Sequence, residues 1–220
     1  MSIDMLEKMN DLFNRRLEGY EEHQLNAIEG AKEFYPYTAS LLPKHKGARV
    51  LDLGCGTGLE LDYYFKLNSE AHVTGIDLAE DMLKALKEKF VGKAITIIQG
   101  SYFDVPFESN RYDAAVSVES LHHFTKEEKV PLYRKVWQAL TTNGYFILTD
   151  YFAKAEEEEA YLMYECKRLK KEQGIRDNEF YHFDTPLTID HEIKALKEAG
   201  FSSVMLLKEW GATCTIKAMK

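Results

Sequence analysis

The chain has 220 residues, enough for one α/β domain with a full core and short for two ordinary ones. With 45% hydrophobic and 29% charged residues and no low-complexity tract, it reads as a globular protein, which excludes disorder and a fibrous repeat. The formal charge of −8 repels phosphate backbones and anionic lipid, so nucleic acid and membrane are disfavoured as partners.

The N-terminal "MSIDMLEKMN" carries early charges and lacks the basic-then-apolar order of a secretion signal; no later run approaches membrane-spanning length. Cys55, Cys166 and Cys214 are widely spaced with no C-x-x-C pair, as reduced thiols in a cytoplasm would be. A cytoplasmic location, as monomer or homodimer, is the expectation.

Up to residue 42, apolar residues recur at helical spacing: Met5, Met9, Leu12, Phe13 and Leu17, then Leu25, Ile28, Phe34, Tyr35 and Leu41. Two or three helices therefore precede the first strand. "ARVLDL" (48–53), "HVTGID" (72–77), "AITIIQ" (94–99), "YDAAVSV" (112–118) and "GYFILTDYF" (144–152) read as buried strands. Helical segments separate them, at 79–90 with Met82 and Leu86 on one face, and at 126–140, where Thr125 and Glu128 form a capping box. Residues 153–187 contain a charged helix with "EEEE" (156–159), expected to be a solvated face, and then "NEFYHFDTP"; they exceed what a plain α/β unit needs and read as an insertion. A helix at 188–199 is closed by Gly200. "SSVMLLKEW" and "ATCTIKAMK" then follow with a Gly211-centred break too short for a parallel crossover, so they form an antiparallel hairpin.

The rhythm predicts a doubly wound sheet of seven strands, mostly parallel with the last strand antiparallel, and helices on both faces. The chain divides into an N-terminal helical lid (1–45), a core (47–152), the helical insertion (153–187) and a C-terminal helix with hairpin (188–220).

Ligands of such sheets bind beyond the carboxyl ends of the strands, next to the first one. "VLDLGCGTGLEL" (50–61) sits there, with glycines at 54, 56 and 58 that allow sharp turning and close backbone approach. Asp77 ends the second strand 19 residues after the last of them, where a carboxylate can accept hydrogen bonds from vicinal ribose hydroxyls. The spacing is G-x-G-x-G, not the G-x-G-x-x-G of dinucleotide sites, and Asp52 precedes it; an acidic group there argues against a pyrophosphate and for a cationic partner such as an ammonium or sulfonium.

With "VLDLGCGTG" (50–58), "TGIDLAEDML" (74–83), "IIQGSYFDVPF" (97–107) and "YDAAVSVESLHHF" (112–124) in this order, the chain resembles the class I S-adenosylmethionine-dependent methyltransferases of small-molecule type, over roughly residues 47–220. The resemblance implies a Rossmann-like fold, S-adenosyl-L-methionine as cofactor, S-adenosyl-L-homocysteine as product and a small-molecule acceptor. It implies that Asp52, Gly54, Cys55, Gly56 and Gly58 line the methionine half, Asp77 holds the ribose, and Leu78 packs on adenine with Met82. Ser101, Tyr102 and Phe103 are placed at the adenine edge, where an acidic residue is common instead of Ser101. Val118 and Glu119 fall beside the transferable methyl, and Tyr20 and His23 of "EGYEEHQ" belong to the lid over the cofactor.

His123, His122, Glu119 and Asp150 are the candidate catalytic groups, with Tyr20 a further possible base. Adjacent histidines are expected to point apart, with at most one at the acceptor pocket, and no metal site is expected because no ligand cluster is visible along the sequence. Asp150 and Tyr151 either face the acceptor or cap the following helix; Phe180 to Phe183 either pack the insertion or wall the acceptor site. An RNA or protein methyltransferase and a non-catalytic S-adenosylmethionine-binding protein are the alternatives. The negative charge and "SVES", where an N-P-P-Y-like motif would stand, count against macromolecular acceptors.

Overall fold

The computed structural model describes residues 5–176 and 179–220; residues 1–4 of the N-terminal segment and 177–178 of the insertion lie outside them. Three helices open the described chain, α1 (Met9–Arg15), α2 (Tyr20–Ala27) and α3 (Ala31–Ser40). The alternating core follows: β1 (Arg49–Leu53), α4 (Leu59–Leu67), β2 (His72–Asp77), α5 (Glu80–Lys89), β3 (Ala94–Gln99), β4 (Tyr112–Val118), α6 (Lys126–Ala139) and β5 (Leu140–Tyr151). Then come α7 (Glu156–Glu172), α8 (Ile189–Ala199), β6 (Ser203–Trp210) and β7 (Thr213–Met219).

The seven strands lie in the order β3-β2-β1-β4-β5-β7-β6. β1 to β5 pair in parallel, and β7 is antiparallel to both β5 and β6, as the short connection at Gly211 requires. Strand order reverses between β1 and β4, which opens a crevice at their carboxyl ends.

Alternation along the strands supplies both cores. Leu51, Leu53, Phe146, Leu148 and Ile216 face α6 and α8, whereas Val50, Val73, Val116 and Ile147 face α3, α4 and α5. The expected capping box of α6 forms at Thr125 and Glu128, and Gly200 closes α8 with φ +118°. β5 begins four residues earlier than its apolar run: Leu140 pairs with Tyr112, then the register jumps to Tyr145 opposite Ala114, so residues between form a bulge with Asn143 at φ +69°.

Buried polar groups fasten the outer helices. Lys129 of α6 donates to Glu192 of α8 at 2.7 Å, and the Tyr133 hydroxyl bonds the same carboxylate. The hydroxyls of Thr38, Thr149 and Thr215 form a chain, at 2.6 and 2.8 Å, that ties α3 through β5 to β7. Glu159 departs from the expected solvated run. It is buried, accepting from the Thr188 backbone N–H at 2.6 Å and pairing with the His191 imidazole at 2.9 Å, because α7 lays its first turn on the start of α8.

The N-terminal segment and the insertion meet over the crevice. Met9 N–H donates to Phe180 O at 3.1 Å, and His182 N–H donates to Glu7 O at 2.9 Å. No helix of the described residues is long and apolar enough to cross a membrane.

Candidate active site

The loop after β1 doubles back over the end of β2. Gly54 and Cys55 N–H groups both donate to Ile76 O, at 2.9 and 3.3 Å. Gly54 and Gly56 have φ +74° and +47°, a region side chains rarely adopt. A Cβ on Gly54 would lie 2.0 Å from Ser120 Oγ, whereas at Gly56 nothing stands within 4 Å because that backbone opens on a cavity.

The two oxygens of Asp77 each accept one backbone N–H, from Gly56 and Ala79, both at 2.8 Å. This fixes the carboxylate at the cavity edge and leaves further lone pairs for ligand hydroxyls. Burial, opposed by those hydrogen bonds, raises its pKa.

Behind the loop, Asp52 and Glu60 are both buried, bond each other and line neither cavity, so Asp52, implied for the methionine half, stands behind the glycine backbone. Burial, reinforced by Glu60, holds Asp52 well above the usual carboxylate range, and burial raises Glu60 as well. A cationic ligand beside these three acidic groups would favour their charged forms.

The crevice holds two adjoining cavities. The first, with about 550 Å³ of empty space, is lined by Gly54, Gly56, Asp77, Leu78, Met82, Tyr102 and Val118, with Met9, Phe13 and Tyr20 from the N-terminal helices. The second, about 1080 Å³, is lined by Arg16, His23, His122, Tyr151, His182, Asp184, Trp210 and Thr213, among others. Phe13, Tyr20, Glu119 and His123 border both.

Glu119 stands where β4 ends, with φ +49°, a strained conformation for a side chain with a Cβ. Its backbone N–H donates to Thr149 O at 2.9 Å and its carboxylate accepts from the Thr213 hydroxyl at 3.0 Å. Burial pushes its pKa up to about 7, against the pull of His122.

A 3₁₀ turn over Leu121–His123 presents both imidazoles to the second cavity, their ring centres 4.0 Å apart. At most one is expected at an acceptor pocket, whereas both line this cavity, because the tight turn keeps neighbouring side chains close; Asp150 stands beside His122, and Asp184 near both. His122 Nδ1 meets Asp150 Oδ1 at 2.5 Å; burial lowers its pKa, but the Asp150 charge prevails and lifts it to about 9. Burial and the charge of His122 hold His123 down to about 4, so it is neutral. Asp150 caps no following helix; its oxygens accept from Leu121 N–H at 2.8 Å and Tyr151 N–H at 2.9 Å as well as facing His122.

Several residues implied for the cofactor site lie elsewhere. Cys55 is buried with its sulfur toward Gly75, and Gly58 caps α4 beside Phe90; neither lines a cavity. Ser101 turns its hydroxyl to Phe103 N–H at 3.2 Å, and Phe103 stacks on Phe180 at 5.7 Å. His23 lines the second cavity, not the first, because α2 runs across the boundary. Of the aromatic stretch after residue 179, Phe180 packs in the core whereas His182 walls the second cavity. Ser120, Phe13, Asp184 and Thr213 line the cavities without any signal in their local sequence, apart from the proximity of Ser120 to the fourth motif.

Residues 50–144 match the model of a methyltransferase domain. The chain is 31% identical over 105 residues to a fatty-acid O-methyltransferase of Mycolicibacterium smegmatis, a match covering 48% of this chain and 38% of that one. It is 27% identical over 207 residues to an uncharacterized methyltransferase of a Geobacillus species, covering 91% and 89%. The chain thus spans well under half of the first relative and nearly all of the second. In fold it matches a crystal structure of a putative O-methyltransferase from Nostoc punctiforme, with a TM-score of 0.72 and 22% identity over 99% of this chain and 63% of that one. The glycine loop and the ordered motifs fall within the segment that matches a methyltransferase domain, and the fold with its reversed β7 is that of the solved methyltransferase, so the chain is similar to the class I S-adenosylmethionine-dependent methyltransferases.

Proposed function

We propose that this protein transfers the methyl group of S-adenosylmethionine to a small-molecule acceptor. The observation that carries this reading is the meeting of two cavities at Glu119 and His123, under a roof supplied by α1, α2 and the insertion. The residues present fit the cofactor. Asp77 is fixed for the ribose, and the open backbone at Gly56, on the cavity wall, admits close approach. When bound, S-adenosylmethionine supplies a methyl group already activated on a sulfonium.

This chain's residues then have three tasks. Tyr20 and Phe13 shield the boundary between the cavities from water, Val118 and Glu119 face the reacting end, and the second cavity holds the acceptor in line. A hydroxyl or amine acceptor gives up a proton as its new bond to carbon forms, while the sulfur keeps the electron pair of the broken bond. Glu119 is the group suited to take that proton, since it borders both cavities and its pKa lies near neutrality.

The net charge of −8 favours a small molecule over RNA. The relative described as a fatty-acid O-methyltransferase is consistent with a small acceptor. The test supplies isotope-labelled S-adenosylmethionine and fractionated cell extract. Label in the small-molecule fraction is expected; label confined to RNA or protein would overturn the acceptor assignment, and failure of S-adenosylhomocysteine to bind in calorimetry would overturn the cofactor.

A further inference from the structure

We propose that His122, His123 and Asp184 form a binding site for a divalent transition-metal ion on the wall of the acceptor cavity, where the ion holds an oxygen of the acceptor. The three ligand atoms lie within 4.8 Å of one another. Asp184 Oδ1 is 3.1 Å from His123 Nδ1 and 3.6 Å from His122 Nε2. Two donors bound at about 2.1 Å to one ion stand roughly 3.0–3.4 Å apart at octahedral or tetrahedral angles, and both Asp184–imidazole separations are within a few tenths of an ångström of that.

A second, independent observation points to a ligand. His123 Nδ1 and Asp184 Oδ1 are both shielded from solvent and have, besides each other at 3.1 Å, no hydrogen-bond partner among the described residues. A buried nitrogen and carboxylate oxygen with only each other keep unused lone pairs, which a cation between them would take up. The third donor is already oriented. Asp150 Oδ1 engages His122 Nδ1 at 2.5 Å, which turns Nε2 toward Asp184 in the carboxylate–histidine–metal pattern that fixes the tautomer of metal-bound imidazoles. Two imidazoles and one carboxylate suit zinc, iron(II), cobalt(II), nickel(II) or manganese(II) better than calcium or magnesium.

The other acidic trio, Glu119, His122 and Asp150, is weaker ground, because Asp150 and Glu119 already accept hydrogen bonds from Leu121, Tyr151 and Thr213. His182, whose ring centre is 4.8 Å from that of His123, brings a further imidazole to the same wall.

Three protein ligands leave coordination positions free, and they face a cavity of about 1080 Å³. The acceptor class that fits is an oxygen nucleophile with a neighbouring carboxylate, carbonyl or hydroxyl that chelates the ion. Binding there makes the nucleophilic hydroxyl more acidic and sets it at the border with the cofactor cavity. This acceptor class rests on the proposed function; the metal site does not.

The test strips the full chain with a chelator and titrates Co²⁺ and Zn²⁺ by calorimetry, with the cobalt absorption spectrum as a second readout. One equivalent is expected to bind the wild type, with affinity at least tenfold weaker in Asp184→Asn and His123→Gln and unchanged in His72→Gln. Asp184 is half-exposed, so its conservative variant keeps the test informative if the histidine variant does not fold. Equal binding by wild type and Asp184→Asn, or no saturable binding, would overturn the site. Titration of S-adenosylhomocysteine on the same samples separates the two readings: metal binding without it supports the site and overturns the proposed function.

Discussion

Asp150 Oδ1 and His122 Nδ1 stand 2.5 Å apart, both side chains buried, at the point where β5 meets the 3₁₀ turn after β4. The carboxylate also accepts two backbone N–H groups, so this single side chain sets the shape of the turn as well as the orientation of the imidazole. Removing one member of a buried pair leaves the other without compensation, at a cost of about 3–5 kcal/mol. Asp150→Ala should therefore lower unfolding stability by about that amount in urea titration, and a loss below about 1 kcal/mol would show that the pair is not held together in solution.

Glu119 is expected to matter for turnover and little for cofactor affinity. Its carboxylate is held by the Thr213 hydroxyl at the boundary of the two cavities, and glutamine keeps the size while removing the proton-accepting oxygen pair. Loss of a general base lowers rate by roughly 10²–10⁴-fold. Glu119→Gln should show such a fall in kcat with S-adenosylhomocysteine affinity within a few-fold of wild type; an unchanged kcat would remove Glu119 from the chemistry.

Asp77 carries the cofactor assignment. Each of its oxygens is already fixed by one N–H, so under the proposed reading ribose hydroxyls would meet an acceptor whose position needs no rearrangement. Hydrogen bonds to a charged group contribute about 1.5–3 kcal/mol each. Asp77→Asn is expected to weaken S-adenosylhomocysteine by at least tenfold in calorimetry, and wild-type affinity in that variant would refute the ribose role.

The buried carboxylates of Asp52 and Glu60 give stability a pH dependence of definite sign. Both pKa values are raised in the folded protein, mainly by burial, and so lie above their unfolded values. Their contribution is fully present below the unfolded range near pH 4 and is lost as pH rises through the raised folded values. Asp52→Asn removes one of the two charges. The variant should be more stable than wild type at pH 8, by about 1 kcal/mol or more, with a smaller gap at pH 5, while cofactor binding weakens. Urea unfolding at the two pH values checks this; a variant less stable than wild type at pH 8 would contradict it.

The glycine-loop end of the crevice was legible in the sequence because its parts are local. Gly54, Gly56 and Asp77 act through backbone conformation and a strand end, and the intervals between them follow from the βαβ unit that contains them. The hairpin with reversed β7 was legible for the same reason: a short connection at Gly211 admits one geometry. Cys55 and Gly58 show the limit of that reading. They belong to the motif, but one packs against Gly75 and the other caps a helix.

What the tertiary structure decided is the acceptor side. Asp184 and His182 come to His122 and His123 from some sixty residues away, carried by the return of the insertion, and the bridge from Met9 to Phe180 brings Phe13 over the same cavity. Such contacts depend on where long connections cross the sheet, which hydrophobic periodicity does not encode. The sequence by itself determined the sheet and its cofactor loop, since these rest on spacing along one strand–turn–helix unit. The pairing of two adjacent histidines with two distant carboxylates was settled by packing between separate segments.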